Sequence, residues 1–202
     1  MRCLALTLAG VAQLLSVVDP NIFRKLIDGY AFKQGSRPQS EIAPAQRVKS
    51  DSVLAPHAEG SGAFRAFLRD ELIPEINRRY RTTRERSIIG ESLAGLFIVE
   101  TFLEEHTLFT HYIALDPSVW WNAGALIDSA PARIAAFDHT PRSLFLASSL
   151  EPSSSKGSAR LAEMLRTSAP RELRVTYDPR PDLTHANIFL NLEVRALTDA
   201  LH

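Results

Sequence analysis

Ser92 stands in the run Gly90-Glu91-Ser92-Leu93-Ala94-Gly95, after the short apolar stretch Ser87-Ile88-Ile89 and ahead of a second apolar stretch. A serine set among small residues, where a strand turns sharply into a helix, is a nucleophile elbow. The hydroxyl stands clear of the chain and can attack an electrophilic carbon. Gly90 and Ala94, two residues to either side, fit the crowding of that turn, and Gly95 lets the helix pack close to the strand. The competing reading is a serine that caps the following helix. Nucleophilic chemistry also needs a base within reach of the serine oxygen and an acid to fix the base's tautomer. His185 falls between the strand-like segment Glu172–Tyr177 and the last helix, which suits the base. Glu151, just past the apolar segment Ser143–Ser148, is the expected acid. Asp178 and Asp182 are rivals, and Asp116 is a weaker one because it follows the strand next to the elbow.

The elements needed to hold these residues are legible as periodic segments. Ala63–Tyr80 carries Phe64, Phe67, Leu68, Leu72, Ile76 and Tyr80 on one helical stripe, with a kink expected ahead of Pro74. The stretch Leu93–His106 reads as the helix behind the serine, and Thr110–Leu115 as a strand ending at Asp116-Pro117. Gly124–Phe137 reads as a helix broken by Pro131, Ser158–Thr167 as a helix, and Ala186–Leu201 as the terminal helix. Strands and helices therefore alternate from Ser87 onward. That alternation implies a mostly parallel sheet covered on both faces, with active residues at the C-terminal ends of its strands. Together with the elbow, and with a serine, acid, histidine order along the chain, it predicts an α/β-hydrolase fold of three αβα layers.

Composition bounds the rest. At 202 residues and 45% hydrophobic content, residues 1–202 are expected to form one domain. Lys+Arg and Asp+Glu both number 23. With no net charge and no basic run, nucleic acid is excluded as the main partner. The single cysteine, Cys3, forms no intramolecular disulfide and gives no metal-ligand spacing. Cys3–Val18 is an apolar run that suits a buried helix, with a secretory signal as the alternative, and it is too short for a membrane span. A cytoplasmic location follows from the first reading, a periplasmic or secreted one from the second. Asn21–Phe32 has the makings of a strand. Residues 32–62, rich in serine, proline and charge, read as a long polar loop over or near the site.

Several motifs resemble those of the enterochelin-esterase-like esterases, in the esterase D superfamily of α/β-hydrolases. Glu71–Tyr80 (ELIPEINRRY) is similar to that group's E-L-I-P-x-I-x-x-x-Y, and Gly90–Phe97 (GESLAGLF) to its elbow. Asp116–Trp121 (DPSVWW) is similar to its S-P-S-x-W-W, and His185 opens the last helix. The resemblance implies hydrolysis of a carboxylic ester, of siderophore or small acyl type, by Ser92, His185 and an acid, without cofactor. Leu93 supplies an oxyanion N–H on this reading, and Glu91, Trp120 and Trp121 line the substrate site. Glu91 stands where the group has histidine, Ala94 where it has glycine, and Asp116 where it has serine. Aligned this way, Cys3–Val18 is the first helix and the opening strands are missing, along with the loop that carries the second oxyanion donor; Asp28-Gly29-Tyr30 only superficially resembles that loop. Weakened activity and an exposed sheet edge covered by a second copy are the corresponding expectations. A binding module without catalysis and an acyltransferase are the alternative functions.

Overall fold

A computed structural model describes residues 4–8 and 60–201. Its centre is a five-stranded sheet in the order β1-β2-β3-β4-β5, with every neighbouring pair parallel. The strands are β1 (Leu4–Leu8), β2 (Arg86–Glu91), β3 (His111–Leu115), β4 (Arg142–Ser148) and β5 (Leu173–Pro179). The helices are α1 (Ser61–Phe67), α2 (Ile73–Arg79), α3 (Ser92–Glu104), α4 (Ala125–Ile134), α5 (Pro152–Ser168) and α6 (Ile188–Leu201).

Alternation along each strand sorts the core into two layers. Ile88, Tyr112, Ala114, Leu144 and Leu146 point to the side covered by α3, α4 and α5. Ile89, Ile113, Leu115, Phe145 and Ala147 point to the other side, where Ile188, Leu192 and Ala196 of α6 close over them. β4 is buried along its whole length, and its middle, Leu144–Ala147, is apolar on both faces, as a central parallel strand requires. Helix α3 is apolar nearly all round for the same reason: Leu96, Phe97, Ile98 and Val99 are all buried. On its outer flank the buried guanidinium of Arg65 reaches Glu100 and Glu105, each at 3.1 Å, and Glu104 at 2.5 Å, tying α1 to the helix behind the serine.

Four sequence expectations change here. Within Cys3–Val18, Leu4–Leu8 is a strand rather than part of a helix, paired with β2 so that Leu8 lies beside Gly90. A short apolar run satisfies either period, and pairing with the elbow strand decides it. The other expectations for residues 9–59, including the Asn21–Phe32 strand, the polar loop and Asp28-Gly29-Tyr30, lie outside the described residues. Pro74 does not simply kink its helix: Leu68–Leu72 forms a π-helical turn, and Pro74 follows it within a helical run that continues to Arg79. Helix α4 runs through Pro131 to Ile134 instead of stopping there. Finally, α5 begins at Pro152, six residues ahead of the expected Ser158, because Pro152 suits a first helical position. Among the described residues no helix is long and apolar enough to cross a membrane.

Candidate active site

Ser92 is the first residue of α3 and has φ of 60°, a left-handed conformation that L side chains rarely adopt. β2 ends at Glu91, so strand passes to helix with no intervening residue, and the strained serine absorbs the change of direction. Gly95 makes the tight packing possible. A Cβ there would lie 3.0 Å from Pro117 Cα and 3.3 Å from the Gly90 carbonyl oxygen. The elbow and the Asp116-Pro117 turn are thus pressed together through one glycine.

That turn carries a buried carboxylate. Asp116 follows β3 directly, is fully buried, and has φ of 45°. Its Oδ2 lies 2.6 Å from His185 Nδ1 and accepts a 2.8 Å bond from the Ser149 hydroxyl. Its Oδ1 accepts a 2.9 Å bond from the Ser149 N–H. Burial alone would push this carboxyl up, but the hydrogen bonds from His185 and Ser149 outweigh it and hold it below the usual aspartate value. The same hydrogen bond raises the His185 imidazole above its ordinary 6.5, against the opposing effect of burial. With Nδ1 committed to Asp116, Nε2 is the ring nitrogen left for proton transfer.

Glu151 therefore does not hold the position expected of it. It is exposed at the start of α5, and no hydrogen bond joins it to His185. Its N–H donates to Ser149 Oγ at 3.2 Å, so it belongs to the scaffold around Asp116. Asp178 faces Arg195 at 3.2 Å, and Asp182 pairs with Arg180 at 2.6 Å, so neither rival meets the imidazole. The signal for Asp116 was present in the sequence as an aspartate where the resembled motif has serine.

Around the serine, Ser118 Oγ lies 3.5 Å from Ser92 Oγ, and the Ser118 N–H donates to the Ser92 carbonyl at 3.0 Å. No hydrogen bond joins Ser92 to His185 in this arrangement, a bond that in hydrolases tightens on substrate binding. Leu93 follows in the first turn of α3, where backbone N–H groups have no acceptor within the helix. Glu91 is half-buried, and burial pushes its carboxyl up. The two tryptophans separate: Trp121 is 2% exposed and part of the core, whereas Trp120 is partly exposed and walls a cavity of about 310 Å³ with Lys156 and Asp128.

Known proteins resemble this chain in sequence and in fold. A stretch of 67 residues is 42% identical to the ferri-bacillibactin esterase BesA of Bacillus subtilis (strain 168), covering 33% of this chain and 23% of that protein. The chain thus spans under a quarter of this relative's length. Among solved structures, the BES protein from Bacillus cereus superposes with a TM-score of 0.70 at 20% identity, over 78% of this chain and 62% of that one. An IroE-like serine hydrolase from Shewanella oneidensis superposes with a TM-score of 0.68 at 22% identity, over 98% of this chain and 69% of that one. These likenesses give the fold as the α/β-hydrolase type. The model of the esterase family, described as "Putative esterase", matches residues 30–165, a span that holds Ser92 and Asp116. An elbow serine, a buried acid one strand over and a match across two thirds of its length place the chain in that esterase family.

Proposed function

We propose that this protein is a serine hydrolase of carboxylic esters in which Ser92, His185 and Asp116 form the triad. The observation that carries the reading is the 2.6 Å bond from His185 to a fully buried carboxylate at the strand end next to a strained elbow serine. His185 Nε2 takes the Ser92 proton as Oγ bonds to the ester carbonyl carbon. The carbonyl oxygen becomes an oxyanion, which the Leu93 N–H helps to hold. Collapse breaks the carbon–oxygen bond of the ester, and His185 returns the proton to the departing alcohol. Water, deprotonated by the same imidazole, then releases the acid and restores Ser92. Asp116 keeps Nδ1 protonated and stabilises the imidazolium that forms at each step.

For substrate, a siderophore-type or small acyl ester fits best. The stretch shared with BesA supports the former, and the partly exposed Trp120 supports an acyl group with an apolar face. Ester turnover and covalent labelling by a fluorophosphonate test the reading together. Ser92→Ala is expected to lower kcat for a p-nitrophenyl ester by on the order of 10⁴–10⁶ and to abolish labelling. Turnover and labelling that survive this substitution would remove Ser92 from the mechanism.

A further inference from the structure

β5 ends the sheet, and among the described residues no strand pairs with its outer edge. Its hydrogen-bonding parity can be read from its flanks. The Arg180 N–H donates to Ser148 O at 2.7 Å, and Glu172 O accepts from the Arg142 N–H at 3.4 Å. Even-numbered residues therefore turn their main-chain groups toward β4. Val175 and Tyr177 turn theirs outward, where a row of free donors and acceptors is a template for another strand.

The side chains say which strand. Leu173-Arg174-Val175-Thr176-Tyr177-Asp178-Pro179 is complementary to itself when two copies run antiparallel about Thr176. In that register Arg174 faces Asp178 of the other copy, Val175 faces Tyr177, and Thr176 faces itself. Opposite charges, an aromatic against a β-branched residue, and paired threonines are the favourable cross-strand combinations. Val175 and Tyr177 then exchange their outward N–H and C=O groups, so the backbone parity and the side-chain pairing select the same axis. The registers on either side that keep this facing are penalised. Shifting the axis to Val175 sets Glu172 against Asp178, and shifting it to Tyr177 sets Arg174 against Arg180. On the apolar side, Leu173, Val175 and Tyr177 line a groove of about 680 Å³ against Ala162 and Leu165 of α5. A second copy would extend that apolar face across the axis.

We propose that β5 is a self-recognising edge, through which two copies of this chain form a two-fold dimer with a continuous sheet. It is the edge opposite the one expected to need covering, and it does not depend on the catalytic reading. Because the paired strands run antiparallel, the two sites open at opposite ends of the joined sheet. Arg174 also donates to the Ala200 carbonyl at 3.1 Å and Asp178 also faces Arg195, contacts within one copy that keep the two charges beside the edge.

Sedimentation velocity of the full chain at micromolar concentration tests this. The wild type is expected near twice the 22.4 kDa chain mass. Arg174→Asp leaves acids at both cross-strand positions and Asp178→Arg leaves bases at both, so each alone is expected at the monomer mass. Mixed in equal amounts, the two variants are complementary at both pairs and should return to the dimer mass, which also shows that both are folded. Val175→Pro removes an outward N–H and spares the β4 ladder, and it should give monomer too. A monomeric wild type, a dimer that persists in Val175→Pro, or folded charge variants whose mixture stays monomeric would each overturn the proposal.

Discussion

Two histidine–carboxylate pairs sit at opposite ends of the same sheet. At the C-terminal end, His185 Nδ1 meets Asp116 at 2.6 Å; near the N-terminal ends of β4 and β5, His139 Nδ1 meets Glu172 at 2.9 Å. On distance alone they are near equals. Their surroundings differ completely. Asp116 is wholly buried and takes two further bonds from Ser149, while Glu172 is 40% exposed and its histidine 81% exposed. Water competes freely for the second pair, and salt screens it. In the first pair the carboxylate is held by groups that solvent cannot replace, although its histidine is 44% exposed. What separates the two pairs is the burial of the carboxylate and the number of fixed donors on it.

Removing the buried charge should break the comparison most severely. Asp116→Asn keeps the shape, but an amide lets the imidazole adopt the wrong tautomer, so kcat is expected to fall by on the order of 10⁴. The pH profile supplies the sign. In the proposed mechanism activity needs neutral His185, so kcat/KM is expected to rise with pH through the pKa of that imidazole. Asp116 raises that pKa above the ordinary 6.5. Loss of the carboxylate therefore moves the acid limb to lower pH. Glu151→Gln is the control: it should leave the rate where it was and move the limb only slightly to lower pH, because the Glu151 charge is the smallest of the contributions that raise the imidazole. A collapse of kcat with Glu151→Gln, and not with Asp116→Asn, would restore Glu151 as the acid.

Ser92 and His185 stand out in the sequence while Asp116 yields to Glu151, and the reason lies in what each signal measures. The elbow is visible because its strain demands small neighbours, and Gly90, Ala94 and Gly95 are local in the chain. Alternating strands and helices were legible because two-sided burial leaves continuous apolar runs such as Leu144–Ala147. The acid is different. Ser92, Asp116 and Glu151 precede His185 in either triad, so chain order does not separate the candidates. Only the approach of Asp116 to His185, 69 residues away, does so. The Trp120-Trp121 pair shows the same limit, since a helical turn sends one ring into the core and leaves its neighbour at the rim. Leu4–Leu8 misled for another reason: in LALTL, period alone fits strand or helix, and the paired partner lies about eighty residues on.

A milder disturbance sharpens the contrast from the side of the donors. Ser149→Ala removes the 2.8 Å hydroxyl bond to Asp116 Oδ2 but keeps the backbone N–H bond to Oδ1. The carboxylate, less shared, becomes a stronger acceptor for His185, so the acid limb should move to higher pH, opposite to Asp116→Asn. Its freer orientation should nevertheless lower kcat by about tenfold. Loss of a hydrogen bond to a buried charge should also lower stability by about 1–3 kcal/mol. A purely structural serine would lower stability without moving the limb, so the pH profile carries the test.

The smallest effect belongs to the exposed pair, and it is informative for being small. The His139 hydrogen bond is the leading cause of the lowered Glu172 carboxyl value, so His139→Ala should let that carboxyl return toward its ordinary value, as read by NMR titration. The sign is fixed: a depressed carboxyl favours the folded state above its ordinary value, and that contribution fades as the pH falls through the folded one. Because both side chains face water, the titration should move while kcat/KM stays within about twofold and thermal unfolding barely changes. A large loss of activity from His139→Ala would mean that the two ends of the sheet communicate. The difference between the pairs would then lie in coupling to Ser92, and burial would no longer explain it.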